Sequence, residues 1–355
     1  MNNDRIQEIL DLMEEARLDY FLISDPQSIA YCTGYYNDPH ERMFVFMISK
    51  HGNHTLFMND LFYLEHDLDV NIVWHKDGQD AIQTIVDEMH FPGRIGIDKN
   101  WASHFLLDLM KKLPDAKYIN ASPCVDLVRM KKDLQEKVLM IESSKINDAV
   151  MEEIIPFIQE GVTEKQLAKK LDELFFNHHS TCYGAIVAFG KNAADPHHEN
   201  DDTPLRKGDC VLIDMGCVYK GYCSDMTRTF FYEGILEEEI KVYEIVKKAN
   251  EAAEAMIKPG VKLSDIDKCA RKVISDEGYG KYFTHRLGHF IGRDVHEYGD
   301  VSSVNEMEVE EGMIFSIEPG IYLEGNFGVR VEDLVMVTKD GCQVLNSFTK
   351  DIYII

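Results

Sequence analysis

Residues 211–230 read VLIDMGCVYKGYCSDMTRTF, and residues 315–338 read FSIEPGIYLEGNFGVRVEDLVMVT. Each is a pair of strand-like apolar runs joined at a glycine-bearing turn, and each carries acids inside the runs. In the first, a loop at Tyr219-Lys220 pairs Val218 with Gly221 and leads outward to Asp214 opposite Asp225. A bulge at Gly221 shifts that pairing by one residue. In the second, a hairpin centred on Gly325 sets Glu318 opposite Glu332. Opposed residues hold their Cβ atoms about 4.5–5.5 Å apart, and like charges there are destabilising. Burial raises that cost further. Sharing a proton relieves it, as in an acid dyad; so does a bound cation. A single such pair fits a solvated strand face. Two mirrored pairs carry four negative charges, which two divalent ions neutralise, so a metal site is the economical reading.

Residues 284–297, THRLGHFIGRDVHE, supply His285, His289 and His296, with Gly288 and Gly292 allowing close backbone approach. Four carboxylates and one imidazole form an oxygen-dominated set. It suits Mn²⁺, Co²⁺ or Fe²⁺, with Zn²⁺ as a further candidate. It is not the cysteine–histidine set of a structural zinc site.

Outward from these segments, 355 residues suffice for two domains with separate cores. The first ~120 residues alternate helical and strand patterns. Apolar runs lie at 20–24, 43–49, 55–58, 72–74 and 95–97, with helical stretches at 6–13, 78–90 and 101–112. Turn signals at 51–53 and at Phe91-Pro92-Gly93 punctuate them. This predicts an open α/β domain over 1–122. From 123 to 355 the pattern predicts an α+β domain. A helix over 133–159 ends at Gly161, and Thr163 with Gln166 forms a capping-box pattern. Strands follow at 184–189, 209–218, 222–231, 313–323 and 327–338, with helices at 236–257 and 263–277.

The net charge of −25 excludes nucleic acid and anionic membrane as expected partners. No apolar run reaches the ~20 residues of a membrane span. The acidic, amphipathic first 20 residues do not resemble a signal peptide, so a cytoplasmic protein is expected. The eight cysteines show no CxxC pair and are expected to be free, mostly buried thiols.

The stretches GKNAADPHHEN (190–200), the first hairpin, HRLGHFIGRDVHE (285–297), SIEPGIY (316–322) and GVRVED (328–333) resemble the pita-bread metallopeptidases. That group holds prolidase, aminopeptidase P and methionine aminopeptidase. SIAYCTGY (28–35) and DPHERMF (38–44) resemble the non-catalytic N-terminal domain of prolidases and aminopeptidase P, which methionine aminopeptidase lacks. Creatinase shares the two-domain plan without the metal ligands. The chain is most similar to short bacterial prolidases, with aminopeptidase P as the alternative. A catalytically silent pita-bread binding protein is the third reading, disfavoured by a complete ligand set.

The resemblance implies an α/β N-terminal domain, a pita-bread catalytic domain and a homodimer. It implies two divalent ions, Mn²⁺ first, on Asp214, Asp225, His289, Glu318 and Glu332. A water or hydroxide between those ions would attack the Xaa-Pro bond of dipeptides. Glu318 is the expected proton shuttle, although sequence alone does not separate it from Glu332. His296 and His197 are expected to meet substrate, with His285 bordering the site and His198 an exposed neighbour. Arg330 is expected to anchor the dipeptide's carboxylate; the competing reading makes it a partner of a ligand carboxylate. Phe290 and Arg293 depart from many relatives. Phe290 either narrows the pocket or packs inward. Arg293, with His40 or Arg42 from a partner's 38–42 loop, is expected to favour acidic or polar first residues; the competing reading is a surface arginine.

Overall fold

The computed structural model describes residues 1–90 and 92–355; Phe91, in the turn expected at 91–93, lies outside the described residues. Two compact units divide the chain, Met1–Arg129 and Met130–Ile355.

The first unit is built on a six-stranded sheet. Its order is Asn71–His75, Thr55–Asn59, Val45–Ser49, Tyr20–Ile23, Arg94–Ile97, Lys117–Asn120. Tyr20–Ile23 runs antiparallel to Val45–Ser49 and parallel to Arg94–Ile97. These two central strands, Tyr20–Ile23 and Val45–Ser49, are buried along their whole length. Strand alternation then splits their side chains between two cores. Phe21, Ile23, Phe46 and Ile48 join one, Tyr20, Leu22, Val45 and Met47 the other. A sheet covered on both faces explains the unbroken apolar runs.

The apolar pattern places the domain break after Ser122, whereas the compact unit extends to Arg129. The reason is the helix Ser122–Met130, whose Cys124, Val125 and Val128 pack into the first unit's core.

The second unit opens with helix Leu134–Ile154, capped by a reciprocal Asp133–Glu136 box. It stops short of the expected 159: Ile155–Phe157 tightens into a 3₁₀ turn around Pro156, which has no N–H to extend the helix. The Thr163–Gln166 capping box forms as expected and starts helix Glu164–Asn177. Helices Glu237–Met256 and Leu263–Asp276 pack on each other.

The first hairpin turns at Lys220-Gly221, not at Tyr219-Lys220. Tyr219 pairs with Tyr222, and Met215 with Met226. Both turn residues have positive φ, 48° and 82°, the geometry whose twist suits a two-residue hairpin loop. Asp214 therefore faces Thr227, and Asp225 lies diagonally across. The register error is two residues, so both acids stay on one face. The second hairpin follows the expected register. Ile317 pairs with Asp333 and Gly320 with Arg330, bracketing Glu318 and Glu332 in the same alignment.

The fold is thus α/β followed by α+β. All eight cysteines are free. No helix of the described residues is long and apolar enough to cross a membrane.

Candidate metal centre

The two hairpins and the 285–297 segment converge on a cavity of about 520 Å³ within the second unit. Asp214, Asp225, His289, Glu318 and Glu332 all line it. Ligand atoms of Asp225, His289 and Glu332 lie within 4.8 Å of one another. His289 Nε2 is 3.6 Å from Asp225 Oδ2 and 3.5 Å from Glu318 Oε1. Its Nδ1 is 3.2 Å from the Phe290 carbonyl, which holds the hydrogen there and leaves the Nε2 lone pair facing the acids.

Small side chains fix these groups. Ser316 Oγ accepts from His289 N at 3.0 Å and donates to Glu318 at 3.1 Å. Thr227 Oγ1 donates to Glu332 Oε2 at 2.6 Å and accepts from Arg330 Nε at 3.1 Å. Gly288 is demanded by crowding, since a Cβ there would stand 1.9 Å from the Ser316 carbonyl oxygen.

Burial pushes the Asp225 and Glu332 carboxyls well above the usual range, and the neighbouring acids add to it. Glu318 is raised to about 7 by burial, against the lowering effect of Arg330. Burial pushes His289 down to about 3. Four acids thus face Arg330, which pairs with Asp214 at 2.7 Å. Buried carboxylates in excess, with a neutral imidazole aimed among them, fit divalent cations as counter-charge.

A second acid–histidine cluster, Glu164, His198 and Asp201, has a different character. Buried Glu164 accepts from Phe189 N (2.8 Å), Asn192 Nδ2 (2.9 Å) and Asp201 N (3.0 Å), and lies 2.6 Å from His198 Nε2. Its oxygens are spent on tying down the loop that carries His197. His198, expected to be exposed, is instead largely enclosed, because this contact draws it inward.

His197, His285 and His296 line the cavity. The His296 ring meets that of His289 edge-on at 4.2 Å. His285, lowered to about 4 by burial, accepts from the Tyr322 hydroxyl at 2.8 Å. Phe290 does not reach the cavity lining: it is fully buried against Phe315, so its pocket-narrowing role gives way to inward packing. Arg293 is likewise off the lining, its guanidinium 5.4 Å from the Tyr222 ring centroid and beside Gly221. His40 and Arg42 belong to the first unit, where Arg42 forms a two-pronged pair with Asp77. Sequence reasoning missed Thr227, Ser316, Tyr183, Tyr322 and Arg286. Thr227 and Ser316 sit two positions from Asp225 and Glu318, so strand alternation points to both. Arg286 stands inside the HRLGH run, and Tyr183 had no signal.

The model of metallopeptidase family M24 matches residues 138–339, more than half of the chain, spanning all five acid and histidine positions. The chain belongs to family M24. Residues 5–131 match the creatinase/prolidase N-terminal domain, so this M24 protein pairs that domain with a pita-bread unit. An uncharacterized peptidase of Staphylococcus aureus is 35% identical over 98% of this chain and 99% of its own. A dipeptidase structure from Pyrococcus horikoshii shares 35% identity, with TM-score 0.92 over 99% of this chain and all of that one. A prolidase from Thermococcus sibiricus shares 32%, with TM-score 0.94 over 100% and 99%.

Proposed function

We propose that this M24 metallopeptidase hydrolyses the Xaa-Pro bond of dipeptides at a two-metal centre held by Asp214, Asp225, His289, Glu318 and Glu332. The observation that carries the reading is the convergence of these five side chains in one cavity. The dipeptidase and prolidase neighbours support the substrate class. Mn²⁺ heads the candidate metals, ahead of Co²⁺, Fe²⁺ and Zn²⁺.

Divalent ions at such a centre supply Lewis acidity and a nucleophilic water at neutral pH. The protein's own groups do the rest. Glu318, held by Ser316 and 3.5 Å from His289, carries the proton towards the leaving proline nitrogen. His296 and His197 face the substrate from the lining, donating to the carbonyl oxygen as charge develops on it. Tyr322 bridges Arg330 (2.9 Å) and His285 (2.8 Å), holding the wall of the site rigid. A homodimer is part of the proposal, inherited from the family resemblance.

Comparing turnover of Leu-Pro and Leu-Pro-Gly tests the substrate reading. Cleavage confined to the dipeptide is expected. Efficient removal of leucine from the tripeptide would move the protein to the aminopeptidase P activity.

A further inference from the structure

Two arginines line the cavity, and they differ in what their N–H groups are doing. Arg330 is buried and engaged on every nitrogen. Nε donates to Thr227, Nη1 to the Tyr322 hydroxyl at 2.9 Å and the Pro196 carbonyl at 3.4 Å, and Nη2 to Asp214. Releasing Nη2 to a ligand would strip Asp214 of its guanidinium partner.

Arg286 is the opposite case. It is exposed, and among the described residues no hydrogen bond or ion pair occupies its guanidinium. The segment beneath it is fixed: the Arg286 carbonyl accepts from His285 Nδ1 and the His285 carbonyl accepts from Arg271 Nη2, each at 2.7 Å. His289 follows three residues later. Arg286 lines the same cavity as Glu318, His289 and His296, and its charge contributes to lowering each of them. Burial lowers His285 to about 4, so it is not a cation at neutral pH. Among the described residues, Arg286 is the one permanently charged group of the lining with N–H donors to spare.

We propose that Arg286 receives the free C-terminal carboxylate of the dipeptide, as a specificity-determining contact that rests on the Xaa-Pro dipeptidase reading. A guanidinium presents two parallel donors that match a carboxylate. Amidating the substrate, or adding a residue after proline, removes the group this fork recognises. Arg330 meanwhile holds Asp214 and Tyr322 in place rather than binding substrate.

The test is steady-state kinetics of the metal-loaded protein on Leu-Pro, Leu-Pro-amide and Asp-Pro, for wild type, Arg286→Gln and Arg286→Lys. In Arg286→Gln the KM for Leu-Pro is expected to rise roughly 10- to 100-fold, the range of a charged hydrogen bond. The kcat/KM ratio of Leu-Pro to Leu-Pro-amide should fall about tenfold or more, with partial recovery in Arg286→Lys. Equal losses on the acid and the amide would overturn the assignment. So would a loss confined to Asp-Pro, which would place Arg286 at the first residue's side chain. Wild-type turnover of the amide as fast as the acid would defeat the dipeptide reading itself, and it shows without any variant.

Discussion

Arg330 Nη2 lies 2.7 Å from Asp214 Oδ2, and both side chains belong to the wall of one cavity. The pair links the two hairpins, since Asp214 comes from the first and Arg330 from the second. The same guanidinium reaches Thr227 on the first hairpin and Tyr322 on the second. It therefore works as the clasp that sets the ligand-bearing strands against each other.

Arg330→Met should lower the unfolding free energy by about 3–5 kcal/mol, the usual cost of stranding a buried partner. Urea denaturation at constant metal concentration measures it. A loss of activity with an unchanged unfolding midpoint would instead make Arg330 a substrate anchor.

The pH dependence of the metal-free protein has a definite sign. Glu318 keeps its proton up to about pH 7 in the fold, whereas an unfolded glutamate loses it near 4.5. Asp225 and Glu332 are shifted in the same direction. Between those values the folded chain binds more protons, so stability falls as pH rises, by about 1.4 kcal/mol per extra proton per pH unit. His285 and His289, lowered to about 4 and about 3, act oppositely, but their contribution is gained below about pH 6.5. Chelator-treated protein should therefore show a lower urea midpoint at pH 8 than at pH 6.5. A midpoint that rises over this window would contradict the buried acid cluster.

Glu164 offers a test away from the metal ligands. Glu164→Ala removes the acceptor of the Phe189 and Asp201 backbone N–H groups and leaves the Asn192 amide only Thr203, at roughly 1–3 kcal/mol for each donor left unpaired. Glu164→Gln keeps an oxygen for part of this set and should recover part of the stability. Thermal unfolding of both variants decides it, and equal melting temperatures with wild type would remove Glu164 from its anchoring role.

The turn at Lys220-Gly221 supplies a backbone test. Gly221 has φ 82°, where an alanine is strained by about 1–2 kcal/mol. Gly221→Ala should cost that much in chemical denaturation, and a neutral result would argue for a different turn.

The acids of the site were legible because charge is conspicuous within apolar strands. The second hairpin was legible to the residue, since its tight turn at Gly325 sets the register. The first was not: tyrosine, lysine and glycine each suit a turn, and only the paired positive φ angles single out Lys220-Gly221. Helix Ser122–Met130 escaped because it is short and mixed in composition, carries Pro123 in its first turn, and turns its apolar face to the preceding unit. Phe290 and Arg293 lie off the cavity lining for a related reason. Adjacency in sequence to His289 does not put a side chain on the cavity side, and Phe290 points into the core. Tyr183 and Tyr322 are ordinary aromatic residues in apolar runs until the fold brings their hydroxyls to the site.

The most direct measurement is Leu-Pro hydrolysis by protein stripped with a chelator and then titrated with Mn²⁺, Co²⁺ or Zn²⁺, with bound metal counted alongside. No activity is expected in the stripped protein, with recovery as binding approaches two ions per chain. Asp225→Asn should bind less metal and fail to recover. Full activity without metal, or no metal retained by the wild type, would contradict the two-metal centre.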